Sequence, residues 1–89
     1  MTNNPTICIP KINNTITKYD IQSVFKKLNI GEIQDIRFVG KYSKTAYIKI
    51  ERWYEKAHAL EFRERLIKEV PINVVYNFPW FWKCVKARE

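Results

Sequence analysis

The chain has 89 residues, 46% hydrophobic and 28% charged, with 16 Lys and Arg against nine Asp and Glu for a net charge of +7. A chain of this size buries about 60–65% of its unfolded surface, enough for one modest core but not for a core plus a deep substrate cavity, so one domain spanning residues 1–89 is expected and a large-substrate enzyme is not. No window approaches the roughly 18–20 apolar residues of a membrane span, and the first residues, MTNNP, show no signal-peptide pattern, so an intracellular, cytoplasmic protein is expected. Two cysteines, Cys8 and Cys84, are too few for a disulfide framework or a zinc site.

Residues 6–12 (TICIPKI) are a short β-branched run closed by Asn13 and Asn14, the signature of a first strand. A helix follows, with Thr17 as N-cap, Asp20 completing a capping box, and Ile21, Val24, Phe25 and Leu28 at helical spacing. Gly31 is its expected stop. Residues 32–39 form a second strand with Ile33, Ile36 and Phe38 inward around a local irregularity, and residues 40–44 make a turn. In residues 45–50, Ala46, Ile48 and Ile50 alternate with Thr45, Tyr47 and Lys49, so the two strands form a hairpin. A second helix is expected over residues 54–69, with Ala57, Leu60 and Ile67 on one stripe, Phe62 and Leu66 beside it, and Pro71 ending it. Its charged run, Glu61 with Arg63, Glu64 and Arg65, reads as a solvated face laced by helical ion pairs, and His58 as a surface residue. A short β-like piece at residues 72–76, a turn at residues 77–79 and a closing strand at residues 80–86 complete the chain.

The order is thus βαββαβ, with a four-stranded antiparallel sheet, both helices on one face, and the other face open to solvent. Charge is distributed to suit such a face. Residues 51–70 hold five basic and five acidic side chains, whereas residues 1–50 hold eight against three and residues 71–89 three against one.

With ICIPKI in its first strand and KTAYIKI in its third, this α+β, ferredoxin-like βαββαβ sandwich resembles an RNA recognition motif over nearly its whole length. In that family the first-strand signature carries an aromatic at the position of Cys8. The third-strand signature carries glycine at Lys44 and an aromatic at Thr45, and is matched here by Ala46 and Tyr47. The resemblance implies single-stranded RNA bound on the open sheet, with single-stranded DNA as the lesser expectation. The residues themselves offer no nucleophile paired to a histidine, no carboxylate dyad, no glycine-rich phosphate loop (the glycines are Gly31 and Gly40) and no metal-ligand spacing, so no catalysis, cofactor or metal is expected. Family members stack two or three bases on sheet aromatics, and losing two such rings removes roughly 2–6 kcal/mol of binding.

Two features compensate. Arg37, Lys49 and Lys83 are expected on the open face beside Tyr47, with Lys11, Lys41, Lys44, Lys86 and Arg88 around its edges, to contact phosphates. In the closing strand, an outward Lys83 puts Phe81 and Val85 outward and turns Trp80, Trp82 and Cys84 to the helices. Phe81 is then a second stacking ring, and inverted parity would expose Trp82 instead. The same alternation places Cys8 and Cys84 on opposite faces, with no disulfide between them. Tyr47 also reads as an ordinary cross-strand partner for Arg37 or Lys83, and Trp53, Trp80 and Trp82 as packing residues. The run YNFPWFWK resembles the closing segment of small RNA-recognition-like proteins encoded by large DNA viruses, which implies an infected host cell as the setting. The competing expectation is a protein-binding adaptor or viral assembly component on the same scaffold, since exposed aromatics serve protein hot spots as well as bases.

Overall fold

The computed structural model describes residues 5–40 and 44–88. Its elements are β1 (Ile7–Ile12), α1 (Lys18–Leu28), β2 (Gly31–Val39), β3 (Lys44–Trp53), α2 (Ala57–Ile67), β4 (Ile72–Asn77) and β5 (Trp80–Lys86). All strand pairs are antiparallel, in the order β2-β3-β1-β5-β4. The sheet therefore has five strands rather than the expected four. The β-like piece after α2 is a full strand because its residues pair with β5 from Ile72 opposite Cys84 to Asn77 opposite Trp80, which adds a hairpin arm beyond the central strands. Among the described residues no helix is long and apolar enough to cross a membrane.

Period-two alternation sorts the sheet into two faces. Ile36, Ile48 and Ile7 align across β2, β3 and β1, and Phe38, Ala46 and Ile9 form the next row. Apart from the half-buried Phe38, these residues are buried, as are Val74, Trp82 and Cys84 on the outer strands. They pack into one cluster with Ile21 and Phe25 of α1 and with Ala59, Phe62 and Leu66 of α2, so both helices cover the same face.

The capping box of α1 forms as expected. The Thr17 side chain accepts from the Asp20 amide (3.2 Å), and Asp20 Oδ2 accepts from the Thr17 amide (2.9 Å). The helix stops earlier than Gly31, at Asn29, whose left-handed backbone (φ 55°, ψ 48°) lets its amide donate back to Phe25. Gly31 serves a different purpose, opening β2 where that strand crowds β3. A Cβ there would lie 2.6 Å from the Arg52 carbonyl oxygen.

α2 is shorter than expected and presents a different stripe. The Tyr54 amide donates to Ile30 (2.9 Å), which keeps that residue out of the helix, and Glu69 takes a left-handed conformation (φ 59°) ahead of Pro71. Leu60 and Ile67 are exposed, while Phe62 meets Trp53 with ring centroids 6.2 Å apart. The inward face is set by the largest ring that the sheet can receive, and both stripes are apolar enough to compete. On its solvent side, Glu61 pairs with Arg65 and Glu64 with Lys68 at i,i+4 spacing. His58 is exposed and its Nε2 donates to the Asn29 carbonyl (3.0 Å), joining α2 to the end of α1.

Candidate nucleic-acid interface

The face opposite the helices is built from the other half of each alternation. Arg37, Tyr47, Cys8 and Val85 form one row across β2, β3, β1 and β5, each opposite the next. Asp35 stands opposite Lys49 in the neighbouring row, Val39 opposite Thr45 on the other side, and Lys83 opposite Asn73 on the outer hairpin, with Val75 opposite Phe81 beyond them.

The structure brings Arg37, Tyr47 and Lys49 together. They line a shallow depression of about 220 Å³ with Thr6 and Asp35. The Arg37 guanidinium lies over the Tyr47 ring with Cζ 5.4 Å from the centroid, so Tyr47 is the cross-strand partner of Arg37 on the open face. Asp35 was not among the expected site residues. Its parity with Arg37 is the signal for it, blurred by the irregular pairing between Glu32 and Asp35. Its carboxylate lowers the local positive potential and offers a hydrogen-bond acceptor beside the ring.

Phe81 and Lys83 lie on the same face through β5. Phe81 is 52% exposed and Trp82 only 4%, so Phe81 is the outward ring. Phe81 also borders a groove of about 400 Å³ lined by Lys11, Asn13, Asn14, Tyr76 and Trp82. Lys11 reaches that groove from the irregularity in β1, where its backbone is left-handed (φ 57°) and the pairing with β3 shifts between Ile9 and Ile12.

Trp80 departs from expectation. It is 64% exposed rather than packed under the helices. Pairing between β4 and β5 jumps from Val75 to Asn77, and the skipped residue, Tyr76, stacks on Trp82 with centroids 4.5 Å apart and planes 15° from parallel. That stack closes the core before Trp80 is reached.

Two edge lysines do not join the open face. Lys44 shares the parity of Ala46 and Ile48. Its Nζ sits 4.4 Å from the Phe38 ring and donates to the carbonyls of Asn14 (3.2 Å) and Ile16 (3.4 Å), so it ties the loop before α1 to the hairpin. Lys86 lies opposite the inward residue Ile7 and emerges on the helix-side rim. Arg88 approaches Glu69 at 3.8 Å. Lys41 falls outside the described residues.

Cys8 faces the open side between Tyr47 and Val85, and Cys84 is buried in the core. Both thiols are free. Burial pushes Cys84 up to about 12, with a smaller contribution from nearby Cys8, whose own pKa burial also raises. Among the described residues no group of three or more His, Cys, Asp or Glu is arranged to hold a metal ion.

The chain matches none of the protein-family models, curated proteins or solved structures with which it was compared.

Proposed function

We propose that this chain is a small domain of the RNA-recognition type that binds single-stranded nucleic acid, RNA in preference to DNA, on the face away from its helices. The observation that carries this reading is the pairing of ring and cation at two places on one open face: Tyr47 with Arg37 and Lys49 on β2 and β3, and Phe81 beside Lys83 on β5. One base stacks at Tyr47, where the guanidinium already favours a flat π-surface, and a second at Phe81, while Lys49, Lys83 and Lys11 contact phosphates. Asp35 accepts from an exocyclic amine of the base at Tyr47, which gives that position a preference the lysines cannot supply. A ferredoxin-like arrangement is part of this reading, supported by the adjacency of β1 with both β3 and β5 and by two helices on one side.

Three phosphate-tracking lysines on a single strand correspond to a slope of log affinity against log salt of about −2. Binding of labelled RNA oligonucleotides at several salt concentrations tests the reading, with Tyr47→Ala, Phe81→Ala and Lys83→Glu in parallel. Each ring variant is expected to weaken binding, and the Lys83 variant to flatten the slope as well. Affinity left unchanged by all three variants would falsify the assignment of this face.

The protein-binding alternative has an observation of its own. The outer part of the open face, around Val75 and Phe81, is exposed and apolar, as a protein hot spot requires.

A further inference from the structure

The sheet ends at β2 on one side and at β4 on the other, and the two edges are treated differently. β2 carries Glu32, Asp35 and Arg37 and two irregularities in its pairing, features that discourage a foreign strand from adding to an edge. β4 (INVVYN) carries no charge, and its first four residues pair with β5 without interruption. Among the described residues no strand lies on its outer side.

Charge and exposure mark the same segment. Residues 70–82 contain no Asp, Glu, Lys or Arg, although 28% of the chain is charged and the net charge is +7. Five of the nine exposed large hydrophobic residues among those described lie in this stretch: Val70, Val75, Phe78, Trp80 and Phe81 at 44%, 56%, 86%, 64% and 52% exposure. A neutral, apolar strip with an unpaired strand edge is a surface prepared for association.

We infer that two copies of this chain associate through their β4 edges, pairing antiparallel about a two-fold axis perpendicular to the sheet. Three observations select a second copy as the occupant. An antiparallel edge is self-complementary, since the same backbone donors and acceptors meet under two-fold rotation. Two molecules of charge +7 repel wherever their lysines approach, and residues 70–82 are the long neutral stretch at which they can meet. Pairing centred on Val74 keeps every side chain on its own face, setting Val74 against Val74, Val75 against Asn73 and Ile72 against Tyr76 with no buried charge. The product is a sheet of ten strands, five from each copy, with both open faces on the same side. This association does not rest on the nucleic-acid reading, because β4 contributes neither Tyr47 nor the lysines assigned to phosphate.

Sedimentation velocity over a wide range of protein concentration tests it. The wild-type chain is expected to shift from monomer to dimer as concentration rises. Val75→Lys, which places two like charges at the shared edge, is expected to raise the dimer dissociation constant roughly tenfold or more. Val39→Lys on the opposite edge strand is expected to leave that constant unchanged. Circular dichroism and melting of each variant separate a lost interface from a lost fold, and slowed amide exchange at residues 72–75 on raising concentration reports the edge directly in the wild type. A wild-type chain that stays monomeric, or a dimer weakened by Val39→Lys and not by Val75→Lys, overturns the inference. Loss of RNA binding on Tyr47→Ala bears only on the function proposed above.

Discussion

Arg37 and Tyr47 face each other across β2 and β3, and the guanidinium rests over the phenol ring with Cζ 5.4 Å from its centroid. Under the function proposed above, the pair would keep a flat, cationic surface in place before a ligand arrives, so that less side-chain freedom is lost on binding. Tyr47→Ala is expected to cost about 1–3 kcal/mol of RNA affinity. Arg37→Lys, which preserves charge but not the planar group, is expected to retain the salt slope while losing part of the affinity. Fluorescence anisotropy at two salt concentrations distinguishes these effects.

Lys44 and Lys83 look alike in the sequence but belong to opposite faces. Lys44 holds the carbonyls of Asn14 and Ile16 and lies over Phe38. Replacing it with alanine is expected to lower stability by about 1 kcal/mol and leave the salt dependence of binding intact. Lys83→Ala should do the reverse, with melting temperature unchanged and a flatter slope. Thermal melts paired with salt titrations of the two variants check both halves.

Gly31 sits where β2 begins against the end of β3. A Cβ added there meets the Arg52 carbonyl oxygen at 2.6 Å and Ile50 Cγ2 at 2.8 Å, and the first of these is backbone that cannot swing aside. Gly31→Ala is expected to destabilise the domain by about 1–3 kcal/mol through overpacking, measured by urea denaturation. An equally stable alanine variant would show that the strands can separate at this point without penalty.

Cys84 and Cys8 should differ sharply in reactivity. The thiolate is the nucleophile, and burial holds Cys84 up to about 12 and makes the thiol inaccessible, while Cys8 is half-exposed on the open face. Iodoacetamide at pH 8 is expected to label Cys8 slowly and to spare Cys84 until the chain is unfolded. The sign of the stability effect follows from the same shift. The folded-state pKa lies above the ordinary value of 9.0, so the contribution of a neutral, buried Cys84 is complete below pH 9 and is lost as pH rises toward 12. Cys84→Ala should remove that component of alkaline destabilisation, seen by comparing denaturation curves at pH 8 and pH 10.5.

Local pattern made much of the fold legible. The capping box at Thr17 and Asp20, the alternation from Ala46 to Ile50 and the inward set Ile33, Ile36 and Phe38 all depend on neighbours within a few residues, where dihedral preference and period leave little choice, whereas alternation left Phe81 and Trp82 as rival outward rings and the fold selected Phe81. Tyr47 and Lys49 could be placed on one face of β3 by that rule, while the common face with Arg37, Phe81 and Lys83 depends on the pairing between strands.

Other features depend on partners distant in the chain. α2 offers two apolar stripes, and Phe62 turns inward because Trp53, at the end of β3, is there to receive it. Trp80 is released to solvent because Tyr76 slips out of the ladder and stacks on Trp82 first, a competition between two strands invisible in either. Lys44 faces the helices because β3 begins one residue before the clean alternation and the Asn14 and Ile16 carbonyls wait there. By itself the sequence determined the elements, their periodicity and the parity of the central strands, since these are set by short-range sterics and burial. The tertiary structure alone decided the fifth strand, the bare β4 edge and the removal of two lysines from the open face, because each depends on which groups reach a given backbone edge or carbonyl first.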